Sequence, residues 1–100
     1  MPKAYWIVTA DLLDQAKYDD YRKANAEPLR KYGARFITRA GKQEIVEGKG
    51  RSRSTVIEFP SFAAAKDCYN SPEYQHAKTV RQGAVAIDIV IVEGYDGPQP

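Results

Sequence analysis

The chain of 100 residues predicts an α+β fold of the ferredoxin-like βαββαβ type. Three observations predict it. Strand-like apolar stretches lie near both ends and twice in the middle. Helical spacing fills the first and last of the three gaps between them. The last strand-like run, Ala84 to Gly94, is apolar on both faces and needs cover on each.

Tyr5-Trp6-Ile7-Val8-Thr9-Ala10 reads as the first strand, with Tyr5 and Ile7 pointing one way and Trp6 and Val8 the other. Asp11 to Asp14 supply turn and N-cap chemistry. A helix follows to about Tyr32, because Tyr18, Tyr21, Asn25, Leu29 and Tyr32 fall at helical spacing. Pro28 lacks a backbone donor and is expected to kink this helix or end its regular part near Glu27. Gly33 is the expected stop.

The second strand is expected over about Ala34 to Ala40, with Phe36 and Thr38 opposite Arg35, Ile37 and Arg39. Gln43 to Glu47 is read as a bent extension beyond Gly41, and Gly48 to Arg53 as the hairpin loop. Ser54 to Phe59 is the third strand, ended by Pro60. Ser61 caps a second helix over Phe62 to Asn70. Ser71-Pro72-Glu73 joins an N-cap serine, a proline at the first helical position and an acid in the first turn, so a short third helix runs to about Arg81. Gly83 breaks it before the last strand, where Val85, Ile87, Ile89 and Ile91 share one face and Ala86, Asp88, Val90 and Val92 the other. One domain therefore spans residues 1–95, and residues 96–100 form a loose tail.

In this topology both helices cover one face of a four-stranded antiparallel sheet. The other face, expected to hold residues such as Trp6 or Val8 with Val56, Val90 and Val92, is left bare, and the last strand lies at the sheet edge. Packing two subunits sheet against sheet removes both liabilities, so a homodimer closing an α/β barrel is expected.

Composition narrows the function classes. A net charge of +2 does not argue for nucleic acid, and the densest basic segment, Lys49 to Arg53, reads as a solvated turn. Cys68 is the sole cysteine, which excludes an internal disulfide and fits a reducing compartment. No secretory leader is evident, and no apolar segment approaches the ~18 residues of a membrane span. A cytoplasmic location and no membrane partner are expected.

A resemblance rests on Tyr5-Trp6-Ile7-Val8, Tyr18-x-x-Tyr21, Tyr32-Gly33-Ala34-Arg35-Phe36, Arg39-Ala40-Gly41, Val56-Ile57-Glu58-Phe59-Pro60, Tyr69-Asn70-Ser71-Pro72-Glu73-Tyr74 and Arg81-Gln82-Gly83. These segments are similar to the small bacterial proteins of domain-of-unknown-function family 1330, over about Lys3 to Gly94. That family resembles the dimeric α/β-barrel superfamily, which includes cofactor-independent monooxygenases, muconolactone-type isomerases and haem-binding enzymes. The resemblance implies ligands between each subunit's sheet and helices. It carries over no catalytic residue, because the family defines none.

The residues that could bear chemistry are Tyr21, Arg39, Glu58, His76, Arg81 and Asp88. Glu58 and Asp88 sit mid-strand beside apolar neighbours, where a carboxylate needs a basic partner or its proton. Arg35, Arg39 and Arg81 are the expected guanidiniums. Such pairs are either structural or the polar end of an apolar pocket, and Asp88 is the test between them. His76, the only histidine, reads as a general base or haem ligand, or as a surface or partly packed helix residue. One histidine and one cysteine eight positions apart lack metal-ligand spacing, so no metal and no cofactor are expected. Cys68 lacks an activator other than Lys66. Tyrosines on the helices could orient a phenolic or acidic ligand, or simply fill the core. Two readings follow: a small-molecule-binding dimer, or a monooxygenase- or isomerase-like enzyme.

Overall fold

In the computed structural model, residues 2–100 are described. The elements run β1 (Ala4–Leu12), α1 (Gln15–Lys31), β2 (Arg35–Arg39), β3 (Arg53–Phe59), α2 (Phe62–Asn70), α3 (Pro72–Val80) and β4 (Val85–Glu93). The strands form one sheet in the order β2-β3-β1-β4, with every neighbouring pair antiparallel. This is the predicted ferredoxin-like arrangement, with β4 at an edge.

The caps explain where the helices begin. The Asp14 carboxylate accepts from the Lys17 N–H at 3.2 Å, and the Ser61 hydroxyl accepts from the Ala64 N–H at 3.1 Å. The Ser71 hydroxyl serves two helices. It accepts from the Tyr74 N–H at 3.1 Å and donates to the Cys68 carbonyl at 2.7 Å. It therefore satisfies orphan groups at the end of α2 and the start of α3 together. Gly33 stops α1 with φ of +75°, a conformation that suits a residue without Cβ.

Two expectations are corrected. Pro28 does not end α1 near Glu27; the helix continues to Lys31. The proline removes a single N–H donor from the helix, and its ring is fully buried. Its carbonyl still accepts from the Tyr32 N–H at 3.1 Å. The segment Gln43 to Glu47 is a loop and not a strand extension. Ala40 adopts φ of +52° and turns the chain away, and β3 begins only at Arg53, which leaves that segment no strand to pair with.

All helices lie on one face of the sheet. Trp6 anchors that side: its ring centroid lies 5.0 Å from Phe59 and 5.0 Å from Tyr74. Its indole N–H donates to the Ala65 carbonyl at 3.0 Å. Trp6 and Val8 therefore belong to the covered face, contrary to the expectation that one of them is bare. The register instead aligns Tyr5, Ile7, Val56, Val90 and Val92 on the open face. Val90 is 58% exposed and Val92 44%. Ile45 and Val46, in the loop before β3, are exposed too. No helix among the described residues is long and apolar enough to cross a membrane.

Candidate functional site

Helix α1 packs chiefly against α3, while α2 makes the close contacts with the sheet. The N-terminal part of α1 is thus propped away from the sheet, and a cavity of about 70 Å³ occupies the gap. The floor is apolar, built from Trp6, Val8, Ile57, Ile87 and Ile89. Helix α1 contributes Tyr18, Tyr21, Arg22 and Asn25, and the β2–β3 side contributes Phe36, Arg39, Arg53 and Thr55.

A β-bulge puts Arg39 there. Phe36 pairs with Ile57, but the register slips so that Thr38 faces Val56 and Arg39 faces Thr55. Simple alternation sets Phe36 and Arg39 on opposite faces; the extra residue brings both to the helix side. The Arg39 guanidinium then lies 4.2 Å from the Phe36 ring centroid. Arg53, the first residue of β3, sits 5.8 Å from the Tyr18 ring. Stacking of this kind fixes a guanidinium by its face and leaves its edge N–H groups free to donate.

Tyr21 closes the inner end. Its hydroxyl lies 2.6 Å from that of Tyr74. Burial, with the Tyr21 hydroxyl alongside, pushes the Tyr74 phenol well above its ordinary value, so it keeps its proton. Arg81, itself buried, lies 5.3 Å from the Tyr21 ring and is not among the residues lining the cavity. Its Nε is buried without a hydrogen-bond partner, and the adjacent aromatic face supplies part of the missing stabilisation.

Of the six candidate residues, the structure brings Tyr21 and Arg39 to the cavity and sets Arg81 against the Tyr21 ring. It places the other three elsewhere. Glu58 points to the open face of the sheet, where Lys3 pairs with it at 3.4 Å. His76 is exposed on α3. Asp88 pairs with an arginine as expected, but the partner is Arg51, at 3.0 Å, and the pair lies on the open face away from the cavity. Arg51 also holds Asp11 at 3.0 Å. The Asp11 carboxyl is kept below its ordinary value, chiefly by the Ser52 backbone N–H, with the Ser52 side chain and Arg51 adding to it.

Arg22 and Asn25 were not singled out as site residues by sequence reasoning; Tyr18 was one of the helix tyrosines read as able to orient a ligand, and Arg53 fell in the basic segment read as a solvated turn. The available signal was helical spacing, which sets Tyr18, Tyr21, Arg22 and Asn25 on adjoining parts of one side of α1. Cys68 is buried under α1 near the Pro28 carbonyl, and burial pushes its thiol up to about 12. It is no nucleophile at neutral pH. Among the described residues, no group of three or more His, Cys, Asp or Glu side chains could hold a metal ion.

Known structures share this architecture at low sequence identity. The RPA0582 protein of unknown function from Rhodopseudomonas palustris is 15% identical, with a TM-score of 0.75 over 96% of this chain and 85% of that one. A dimeric ferredoxin-like protein of unknown function from Jannaschia sp. CCS1 is 16% identical, with a TM-score of 0.65 over 92% of this chain and 99% of that one. SnoaB, a cofactor-independent oxygenase from Streptomyces nogalater, is 10% identical, with a TM-score of 0.63 over 100% of this chain and 97% of that one. Identities this low establish the fold alone. No curated protein matches the chain. The sequence does match the family described as Domain of unknown function (DUF1330) over residues 3–95, and the chain belongs to that family.

Proposed function

We propose that this chain is a homodimeric protein that binds a small organic ligand between its sheet and its helices. The observation that carries this reading is the gap beneath α1, an apolar and aromatic floor ringed by polar side chains. Binding sites of small molecules combine these two qualities. The size limits the occupant. An apolar cavity of about 150 Å³ accommodates benzene, so about 70 Å³ admits one compact group, with the rest of the ligand at the mouth.

Self-association is supported by the open face. Ile7, Val90 and Val92 form an exposed apolar strip across β1 and the edge strand β4, and surfaces of that kind mark interaction sites. The dimeric state of the Jannaschia protein supports the same reading. In the proposed dimer the two sheets face each other and each cavity remains on the outer, helical side of its own subunit.

Binding is favoured over catalysis by the lining. No Asp, Glu, His or Cys lines the cavity among the described residues, so an enzyme reading has only tyrosine and threonine hydroxyls for proton transfer. Native mass spectrometry of gently purified protein tests the proposal. The expected species is twice the 11.2 kDa chain mass plus a displaceable small molecule. A bare monomer at micromolar concentration, with no fluorescence response from Trp6 to any fragment of a small-acid library, contradicts it.

A further inference from the structure

We infer that the ligand is a small organic carboxylate, held by the guanidiniums of Arg22, Arg39 and Arg53 with its short apolar end on the Trp6 floor. This rests on the cavity being a binding site and names what it binds. Three cations converge on one small opening in a chain whose net charge is only +2. Among the described residues, no carboxylate lies within salt-bridge distance of any of them; the four ion pairs present use Lys3, Lys31 and Arg51. Arg51, the nearest arginine in sequence to Arg53, is by contrast matched to two acids.

Asp19 is the acid that lines a neighbouring depression, and among the described residues it forms no ion pair with these arginines. It shares this shallow outer depression with Arg22, Lys23 and Arg39, and its carboxylate accepts from the Gln15 amide at 2.8 Å. Unmatched like charges around a concave, partly dry mouth raise the local positive potential and draw anions to it. Arg39 and Arg53 are stacked on Phe36 and Tyr18, which pre-aims their donor edges. Asn25 and Thr55 add neutral polar groups to the lining. The floor is apolar and admits a compact hydrocarbon or ring edge, so inorganic phosphate or sulfate leaves the inner part of the site unused. A carboxylate carrying a short apolar body uses both parts.

The test is a titration of the purified protein with benzoate, butyrate, the isosteric benzamide and inorganic phosphate. It is read by emission of Trp6, the only tryptophan and part of the floor, and by calorimetry. Benzoate or butyrate is expected to bind at least about tenfold tighter than benzamide, because hydrogen bonds to a charged group outweigh neutral ones. Arg39→Gln and Arg53→Gln are each expected to weaken carboxylate binding about tenfold or more while leaving benzamide binding and the unfolding midpoint unchanged. Equal binding of benzoate and benzamide overturns the anionic class and leaves the cavity reading standing. Phosphate binding with arginine dependence and no response to either carboxylate overturns the organic class. No binding of any of these probes to protein with an intact unfolding transition overturns both readings together.

Discussion

Both faces of the sheet carry apolar side chains but use them differently. The helix-covered face packs Trp6 against both Phe59 and Tyr74, with no exposure above 1%. A gap beneath α1 is lined by Arg22, Arg39 and Arg53, none of which is in an ion pair among the described residues. The open face spreads Ile7, Val90 and Val92 in the plane of the strands and ends in matched charges, Lys3 with Glu58 and Arg51 between Asp11 and Asp88. Satisfied charges beside an uncovered apolar strip suit a surface that meets a copy of itself. Unsatisfied cations around a gap suit a surface that meets an anion. The contrast assigns association to one face and binding to the other.

Substitutions on the two faces should separate these roles. The largest effect is expected from Trp6→Ala, which removes the centre of the covered core and should cost about 3–5 kcal/mol in denaturant unfolding. A loss below about 1 kcal/mol removes Trp6 from the centre of the core. Val90→Asp comes next. Placing an unpaired charge in the proposed interface should weaken association by about 2 kcal/mol or more, measured by sedimentation equilibrium, while circular dichroism of the monomer stays native. Unchanged association moves the interface off β4. Tyr21→Phe leaves the buried Tyr74 hydroxyl without its 2.6 Å partner and should cost about 1–3 kcal/mol, with no change in association.

A smaller, pH-dependent effect belongs to Cys68. Its thiol is ordinary in the unfolded chain, at 9.0, and pushed up to about 12 in the fold. Between those values the unfolded chain loses the proton that the folded chain keeps, so stability falls as pH rises. The slope from this one group is at most about 1.4 kcal/mol per pH unit. Cys68→Ala should remove that part of the decline. A thiol reagent at pH 8 should react with Cys68 only on unfolding, and rapid labelling of native protein contradicts its burial. The smallest effect concerns Asp88→Asn, which loses an exposed ion pair with Arg51 on the open face and should leave carboxylate binding unchanged.

Most of the fold was legible in the sequence because its signals are local. Ser61, Ser71-Pro72 and Gly33 mark helix ends through bonds within one turn. Alternation along Val85 to Val92 separated the two faces of β4 correctly. The cavity was less legible because it depends on events that have no local signature. The bulge between Phe36 and Thr38 turned Arg39 to the helix side, and alternation alone cannot foresee a register slip. Tyr21 was found from helical spacing, yet Arg53 was hidden in what read as a loop until β3 began there. Asp88 was recognised as needing an arginine, but its partner Arg51 lies 37 residues away in a segment without regular structure. Of the two outcomes expected at Pro28, the end of α1 near Glu27 did not occur, and Pro28 sits inside the helix with its ring buried.

The most direct test of the division between faces is a titration of isotope-labelled protein with benzoate, followed by side-chain methyl shifts. Changes are expected at Val8, Ile57, Ile87 and Ile89 around the cavity, with Ile7, Val56 and Val90 silent. Shifts clustered on Ile7, Val56 and Val90, or none at all on saturation, contradict the assignment of binding to the covered face.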